Sequence, residues 1–580
     1  MHTAMSRWSL FLLAATVLLG VPLGTVQAQG TTASITGTVI DAANEEPLPG
    51  VNVLAVHEPT GTRYGTATNP NGRFTIRGMR VGGPYTVRAS FVGYQTVERE
   101  GIQLQLDQTR EIEFTLQQQT AEMEEVEVIG RRSGAVIDKD RTGAATNVSS
   151  QEIDELPTIG RSLTDFTRLV PQAQGDGSLG GANSRYNSIQ IDGATLDDVF
   201  GLGDAVPGSQ AGAEPISLDA IQEFNINISP YDVTSSGFTG GQVNAITKSG
   251  SNEFEGTLRF KGGTEDFTGD LDGVGTGEFN QAFYTGTLGG PIIKDELFFF
   301  VSAELKRESS PLDTRVGADL DGTNIFREPV STVEDVQNIF RDENGLYNYE
   351  PGGFSPLTQR EDNEKLLVKL DWNINESHRL TVRNNYVDAA DDAGITRDPD
   401  DYSYANRQYV FESLQNSATA TLNSTIGDNM FNEARFVYTR IRDERNVQDA
   451  AFPEMEMTLG GGRALFAGIG RFNQANQLNQ DLYEFTDNFT YELGDHSLTV
   501  GTSNKLYEFS NLFIQDFFGS YRFDSFETPA GDEVSVQQAL QNGQPTQYQY
   551  SYPTAAAGTD APKAEFSAFQ LGGYVQDEWQ

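Results

Sequence analysis

From Ser251 onward the chain alternates. Along Glu364–Trp372, Leu366, Val368 and Leu370 fall on one side of an extended strand, and Lys365, Lys369 and Asp371 on the other. Along His378–Tyr386, Leu380, Val382 and Asn384 oppose Thr381, Arg383 and Asn385. A period of two marks a strand with two unlike faces. The same texture predicts strands at Glu253–Lys261, Phe279–Leu288, Glu296–Lys306, Glu412–Leu422, Asn432–Arg442, Asp481–Leu493, Ser497–Phe509 and Phe569–Trp579. Strands of about ten residues with one apolar face fit a transmembrane barrel. Lys294-Asp295, Asn373–Ser377 and Gly427-Asp428-Asn429 read as tight turns, whereas Lys306 to Asn363 and Arg442 to Gln480 read as long Gly/Asp/Asn-rich loops.

The first part of the chain has a finer grain. Ser34–Val39, Val51–Ala55, Arg63–Thr68, Arg73–Arg77, Tyr85–Ser90, Thr96–Glu100 and Arg110–Leu116 read as short strands separated by turn signals such as Pro49-Gly50 and Asn69-Pro70-Asn71-Gly72. That spacing predicts a β-sandwich over residues 31–119. A polar linker leads into Glu124-Glu125-Val126-Glu127-Val128-Ile129, where Val126 and Val128 share one face and Glu125 and Glu127 the other. A β-prone segment in a polar linker suits strand addition to a partner's sheet edge. The bland alternative is a last strand of the sandwich.

Ser149 and Glu152 form a capping box for a helix over Gln151–Leu156. Ser162 caps a second helix, which carries Leu163, Phe166, Leu169 and Val170 on one face until Pro171 stops it. Both faces read as core, and Arg161 and Arg168 as solvated positions. Next come a strand at Ser188–Asp192, a turn at Asp192-Gly193 and a loop from Phe200 to Pro215. Ser217 is placed to cap a helical turn at Leu218–Ile221, and strands follow at Glu223–Ile228 and Gln242–Thr247.

Met1 to Ala28 has the form of a secretory signal peptide: Arg7, then the apolar run Leu10 to Val21, then Val26-Gln27-Ala28 as a cleavage site. That run is too short to span a bilayer, and no later segment reaches the roughly 18 apolar residues of a membrane helix. An exported chain of this kind spans a membrane only as a closed barrel. The composition agrees: mean hydropathy is −0.42, yet the chain holds 35 Phe and 21 Tyr. Ten strands are fewer than the roughly 22 of a plugged transporter, so the barrel is expected to be the N-terminal part of a larger one.

With 40 Lys+Arg against 82 Asp+Glu, the net charge is −42. A basic surface for nucleic acid is lacking, so no nucleic-acid partner is expected. The acidity reads first as solvation and second as attraction for cationic cargo. There are no cysteines, so the fold must stand without disulfides. Catalytic and cofactor chemistry find no footing. His57-Glu58 has no second His nearby for zinc, and His57 is expected to face solvent. Asp270, Asp272 and Glu278 lack the spacing of a calcium loop. Neither a phosphate loop nor a nucleophile elbow is present, so no enzyme, metal or cofactor is expected.

Two stretches resemble known families. TGTVIDAANEEPLPGVNV and NGRFTIRGMRVGGPYTVRASFVGYQT are similar to the carboxypeptidase regulatory-like domain. Arg185-Tyr186-Asn187, Ile191-Asp192-Gly193, Ile216 to Ile221, Pro230-Tyr231-Asp232-Val233 and Gly237 through Gly250 resemble the plug of TonB-dependent outer-membrane transporters, more narrowly the Oar-like group. Ile228-Ser229-Pro230 stands where many members carry Arg-Gly-Pro, which argues against importing siderophore-receptor details.

The resemblance implies a mainly β chain in five parts: signal peptide 1–28, sandwich 31–119, linker 120–130, a small α+β plug over 131–250, and a truncated antiparallel barrel over 251–580. The sandwich would lie in the periplasm, and the acid-rich stretch Asp388–Asp401 on the cell surface. Glu124, Glu125, Val126, Glu127, Val128 and Ile129 resemble the TonB box, the contact for an energy-transducing partner. Tyr186, Asp197, Asp198 and Phe200 are candidate cargo contacts at the plug apex, and Tyr347, Tyr349 and Phe354 are aromatic candidates in the loops. The implied function is active import of a bulky peptide, protein or oligosaccharide across the outer membrane, with outer-membrane lipid around the barrel and a surface lipoprotein as a further partner. A surface adhesin with a static stopper is the alternative.

Overall fold

The computed structural model describes residues 31–119, 144–156, 164–167, 169–174, 177–200, 206–228, 233–234, 237–267, 278–312, 314–318, 325–354, 357–447, 451–552 and 562–579. The expected signal peptide, the segment Glu124–Ile129, Arg161, Ser162, Arg168, Asp270 and Asp272 lie outside them.

Eight strands build the sandwich: β1 (Ala33–Asp41), β2 (Asn52–His57), β3 (Thr62–Ala67), β4 (Arg73–Met79), β5 (Gly82–Ser90), β6 (Val97–Leu104), β7 (Thr109–Glu111) and β8 (Phe114–Leu116). One sheet runs β3-β2-β5-β6; the other places β1 between β4 and the parallel β7 and β8. Alternate residues point inward, so Ile35, Val53, Phe74, Val87 and Phe114 form one buried core. The expected single strand Arg110–Leu116 is two strands on the same partner β1; between them the Ile112 carbonyl lies against Gly37, where any side chain would collide.

A second body follows: β9 (Ala144–Ser149), α1 (Ser150–Glu155), α2 (Thr164–Thr167), β10 (Ser188–Ile191), β11 (Ala194–Thr195), β12 (Ile221–Ile228) and β13 (Gln242–Thr247). Its sheet runs β11-β10-β13-β12-β9, with β10 parallel to β13 and β9 at one edge. The Ser149–Glu152 capping box forms as expected. The second helix keeps only four residues; Phe166 and Val170 are buried, but Leu169 is exposed. Ser217 precedes a 3-10 turn without capping it, since its hydroxyl is engaged by the surrounding sheet.

That surrounding sheet has ten strands: β14 (Glu255–Thr264), β15 (Asn280–Ile293), β16 (Leu297–Leu312), then, past the short β17 (Arg315–Val316), β18 (Ile325–Phe326) and helix α3 (Val330–Arg341), β19 (Leu357–Asn373) and β20 (His378–Ala393). After β21 (Asp401–Ser403) come β22 (Tyr409–Ile426) and β23 (Met430–Val447). Then β24 (Glu454–Thr458) and β25 (Ala464–Ala467) precede β26 (Asn476–Leu493) and β27 (His496–Phe513). Last are β28 (Ser520–Phe523), β29 (Phe526–Glu527), β30 (Glu533–Val534), helix α4 (Val536–Gln541), β31 (Gln547–Gln549) and β32 (Ala564–Trp579). The ten long strands pair antiparallel in chain order, β14 to β32.

The polarity of this sheet is inverted relative to a water-soluble one. On β19, Leu366, Val368 and Leu370 are 44%, 37% and 39% exposed on the outer face, while Lys365, Lys369 and Asp371 are 7%, 5% and 3% exposed on the inner. An apolar exterior over a polar interior is what a bilayer requires of a barrel. All ten expected strands are present, but most run longer, up to 18 residues in β22, β23, β26 and β27. Most of the extra length lies at the long-loop ends, where Ser309, Arg360 and Asp388 break the apolar alternation while backbone pairing continues; β15 instead extends at its short-turn end.

The long connections correct the expectation of loose loops. Those after β16, β20, β23 and β27 fold into one cap. Its sheet runs β21-β25-β24-β28-β31, flanked by α3 and α4. Phe326, Val333, Phe340, Tyr402, Met457, Leu465, Phe523 and Leu540 share its core. Tyr347, Tyr349 and Phe354 belong to that core: Tyr349 stacks on Phe452 with ring centroids 3.7 Å apart, and Tyr347 donates to the Leu540 carbonyl at 2.7 Å.

His57 is also corrected: it is buried rather than solvent-facing, 4.8 Å from the Tyr85 ring and 2.7 Å from the Thr60 hydroxyl. Burial, then the charges of Arg80 and Arg379, push its pKa down to about 3. Protonation therefore favours the unfolded chain, whose His titrates near 6.5. Stability is full above about pH 6.5 and falls as the pH drops toward about 3. Amide protection across Asn52–His57, corrected for intrinsic exchange, should decline over that window, and His57→Phe should flatten the decline.

Candidate functional site

The inner body meets the barrel wall mainly through polar side chains, with a smaller apolar contact of Ala211 and Ala213 on Val387 and Phe411. At the centre is the turn Asp192-Gly193, with φ of 48° and 73°. The Asp192 carboxylate accepts from the Thr247 amide at 2.9 Å and its hydroxyl at 2.7 Å, fastening the turn to β13. From the wall, Arg383 approaches Asp192 at 3.4 Å and Lys369 at 3.9 Å. Arg383 also donates to the Ile191 carbonyl at 3.0 Å and to the Thr419 hydroxyl at 3.0 Å. Lys369 donates to the Thr247 carbonyl at 3.0 Å, and Arg435 to the Gly193 carbonyl at 2.7 Å. The left-handed backbone at Gly193 favours glycine, and a side chain there would also displace the Arg435 guanidinium. Burial opposes ionisation of Asp192, but Lys369, Arg383 and the Thr247 bonds outweigh it and hold its pKa below the usual carboxylate range.

Two further grips flank this one. Ser217 donates to Glu304 at 2.6 Å, and Lys365 pairs with the same carboxylate at 2.7 Å. Thr195 donates to Glu484 at 3.1 Å and accepts from Lys505 at 2.8 Å. Asn385 and Gln415 donate to the carbonyls of Pro215 and Pro207 at 2.8 and 2.7 Å. From the wall, Phe300 and Leu367 join the inner core.

Between the inner sheet and strands β26 and β27 lies a cavity of about 220 Å³, lined by Arg185, Asp197, Asp198, Glu484, Lys505 and Tyr507 among others. The structure thus brings Asp197 and Asp198 to one space and leaves Tyr186 and Phe200 outside its lining. Tyr186 is exposed; the Phe200 ring sits 5.6 Å from Phe509 on the wall. Asp197 also braces its own loop, accepting from the Ile189 amide at 2.7 Å and the Ser188 hydroxyl at 3.1 Å. Burial pushes its pKa up to about 6 against the pull of Lys505 and these bonds. Sequence reasoning missed Lys505 and Glu484, which are directly opposed in the β26–β27 register. Opposite charges at inward positions of neighbouring strands were the available signal.

The central grip makes a direct prediction. Asp192→Ala leaves Arg383 and Lys369 buried without their carboxylate, a loss of about 3–5 kcal/mol for a broken buried pair. Hydrogen exchange at Gln242–Thr247 should speed up accordingly, while the sandwich core Val53–Ala55 stays unchanged.

Comparison with known proteins agrees with this architecture. Residues 34–117 match the carboxypeptidase regulatory-like domain, and residues 333–580 match the outer membrane beta barrel domain. The TonB-dependent transporter Oar of Myxococcus xanthus is 29% identical over 379 residues, covering 61% of this chain and 33% of that one. The chain therefore spans about a third of the length of the curated relative it matches. Among solved structures, the outer membrane transporter YddB from Escherichia coli is similar at 12% identity and a TM-score of 0.49, over 75% of this chain and 55% of that one. The siderophore receptor PirA from Acinetobacter baumannii is similar at 14% identity and 0.44, over 75% and 54%. The resemblance read from the sequence is supported: the chain is similar to Oar over 61% of its length and carries matches to a carboxypeptidase regulatory-like domain and an outer membrane beta barrel domain.

Proposed function

We propose that the complete protein is a TonB-dependent active transporter for a bulky cargo, in which residues 131–250 are a movable plug and residues 120–130 its tether. The supporting observation is the polar nature of the plug's hold on the wall at Asp192, Ser217 and Thr195. Such bonds to charged groups are worth roughly 1.5–3 kcal/mol each net, because water can replace the partner. Dry apolar packing offers no such exchange. A plug held this way is firm at rest and yields to a sustained pull.

The pull needs a point of attachment. The outer membrane has no nucleotide or ion gradient of its own, so work must arrive through a protein contact. Glu124–Ile129 is suited to pair as a strand with an energised periplasmic partner, its main-chain bonds carrying the load. The tether leads to β9, an edge strand paired antiparallel with β12 from Ala144↔Ile228 to Ser149↔Glu223. Force arriving at Ala144 reaches that edge strand first.

Cargo enters from the cap side. Asp197 and Asp198, with Arg185 and Lys505 beside them, line the cavity such a cargo would widen. Mixed charge of this kind suits a peptide or protein as well as a hydroxyl-rich oligosaccharide, and a surface lipoprotein would deliver either. The relative in Myxococcus xanthus carries the name of a transporter. Deleting Glu124–Ile129 from the full-length protein should abolish uptake and leave cargo binding at the cell surface intact. Unchanged uptake would reject the mechanism.

A further inference from the structure

The sandwich lies across the mouth of the barrel. Each of the four short connections of the ten-stranded sheet touches it. At the β15–β16 turn, Gly61 faces the Asp295 side chain. At β19–β20, Asn373 donates to the Thr62 hydroxyl at 2.9 Å. At β22–β23, Thr66 donates to the Asp428 carbonyl at 3.3 Å. At β26–β27, Arg73 pairs with Asp495 at 3.3 Å. The outer strands are reached too: the Asn252 amide, just before β14, donates to the Pro59 carbonyl at 2.8 Å, and Arg77 pairs with Glu492 and approaches Glu578 of β32 at 3.9 Å.

Inside this rim the contacts are buried and still polar. Arg379 of the wall donates to the Tyr64 hydroxyl at 2.6 Å and to the Gly78 carbonyl at 2.7 Å. Arg80 of the sandwich approaches Asp371 of the wall at 3.5 Å. One contact goes further in. The Leu106 amide of the sandwich and the Asn147 side chain of β9 both donate to the Glu223 carboxylate, each at 2.9 Å. Glu223 therefore ties the sandwich, β9 and β12 together at one point.

We infer that the sandwich is a removable floor: docked, it closes the short-turn mouth of the barrel and, through Glu223, keeps β9 zipped to β12. The inference rests on the reading of the inner body as a displaceable plug. Its interface has the character of a separable inter-domain contact, with charges and hydroxyls that water can serve equally well once the bodies part. The sandwich's own apolar core is untouched by undocking, so the floor leaves as a folded unit. A partner that draws on the chain between the two bodies would therefore act on both at once, on the floor at Gln119 and on the plug at Ala144.

The chain has no cysteines, so a disulfide can be placed without interference. A Cβ at Gly61 would stand 3.6 Å from the Asp295 Cβ, within the roughly 3.5–4.5 Å of a disulfide. Both positions have left-handed backbone, φ +64° in each, and Asp295 already holds a side chain there. In the full-length protein in micelles, Arg73→Ala with Arg77→Ala should speed exchange across Ile221–Ile228 by roughly five- to thirtyfold, as the rim pairs are lost. Adding Gly61→Cys and Asp295→Cys should cancel that rise when oxidised and return it on reduction. Exchange that is unmoved by the rim variant, or equally fast with the bridge closed, would overturn the inference. Should the bridge not close, Glu223→Ala decides: the rim variant should add nothing to it, and additive effects would overturn the inference. Failure of the transport reading shows instead as uptake that survives deletion of Glu124–Ile129, whatever the exchange result.

Discussion

A sheet that turns its apolar side chains to lipid must turn its polar ones inward, and something must answer them. Lys365, Lys369, Asp371, Arg383, Arg435 and Glu484 all face inward and are almost fully buried. Left alone in a lumen they would need water; here the turn Asp192-Gly193, Ser217 and Thr195 supply acceptors and donors at matching places. The inner body is thus a condition of the barrel's inverted polarity, and its shape follows from where the wall's charges stand.

The consequence is a division of labour between two kinds of cohesion. The sandwich and the cap each close on an apolar core, Ile35 to Phe114 in one and Phe326 to Leu540 in the other. Such cores persist because opening them exposes hydrocarbon to water. The contacts between bodies, at the wall and across the mouth, run mainly through carboxylates, guanidinium groups and hydroxyls, with apolar patches where Phe300 and Leu367 join the inner core and Ala211 and Ala213 meet Val387 and Phe411. The molecule is a set of internally apolar units joined by polar seams, and the seams are where motion costs least.

Much of this was legible in the sequence, for a physical reason. A strand with one face in lipid and one on a polar lumen has a strict period of two, so all ten long strands could be read directly. Their extra length could not, because beyond the bilayer the apolar signal ends while hydrogen bonding goes on. The cap was missed because its sheet is assembled from three separate connections, with α3 added by a fourth, and no one piece carries the pattern. Val333, Val336 and Phe340 at helical spacing on α3, and the Ser535–Gln538 capping box ahead of α4, were local signs of it. Asp192-Gly193 was legible as a turn, but its partners Lys369 and Arg383 lie on distant strands, and only the folded register brings them to it. His57 escaped for the same reason: Tyr85, Arg80 and Arg379 arrive from three other segments.

If the molecule parts at its polar seams, the inner body opens as its own unit while the barrel stays intact. Native-state hydrogen exchange of the full-length protein across a series of sub-denaturing urea concentrations tests it most directly. Amides of β12 and β13 should share one opening, with a small urea dependence and a lower free energy than the wall strands β19–β23. If those amides exchange only together with the wall, in a single global unfolding, the inner body is a fixed part of the barrel and the account is contradicted.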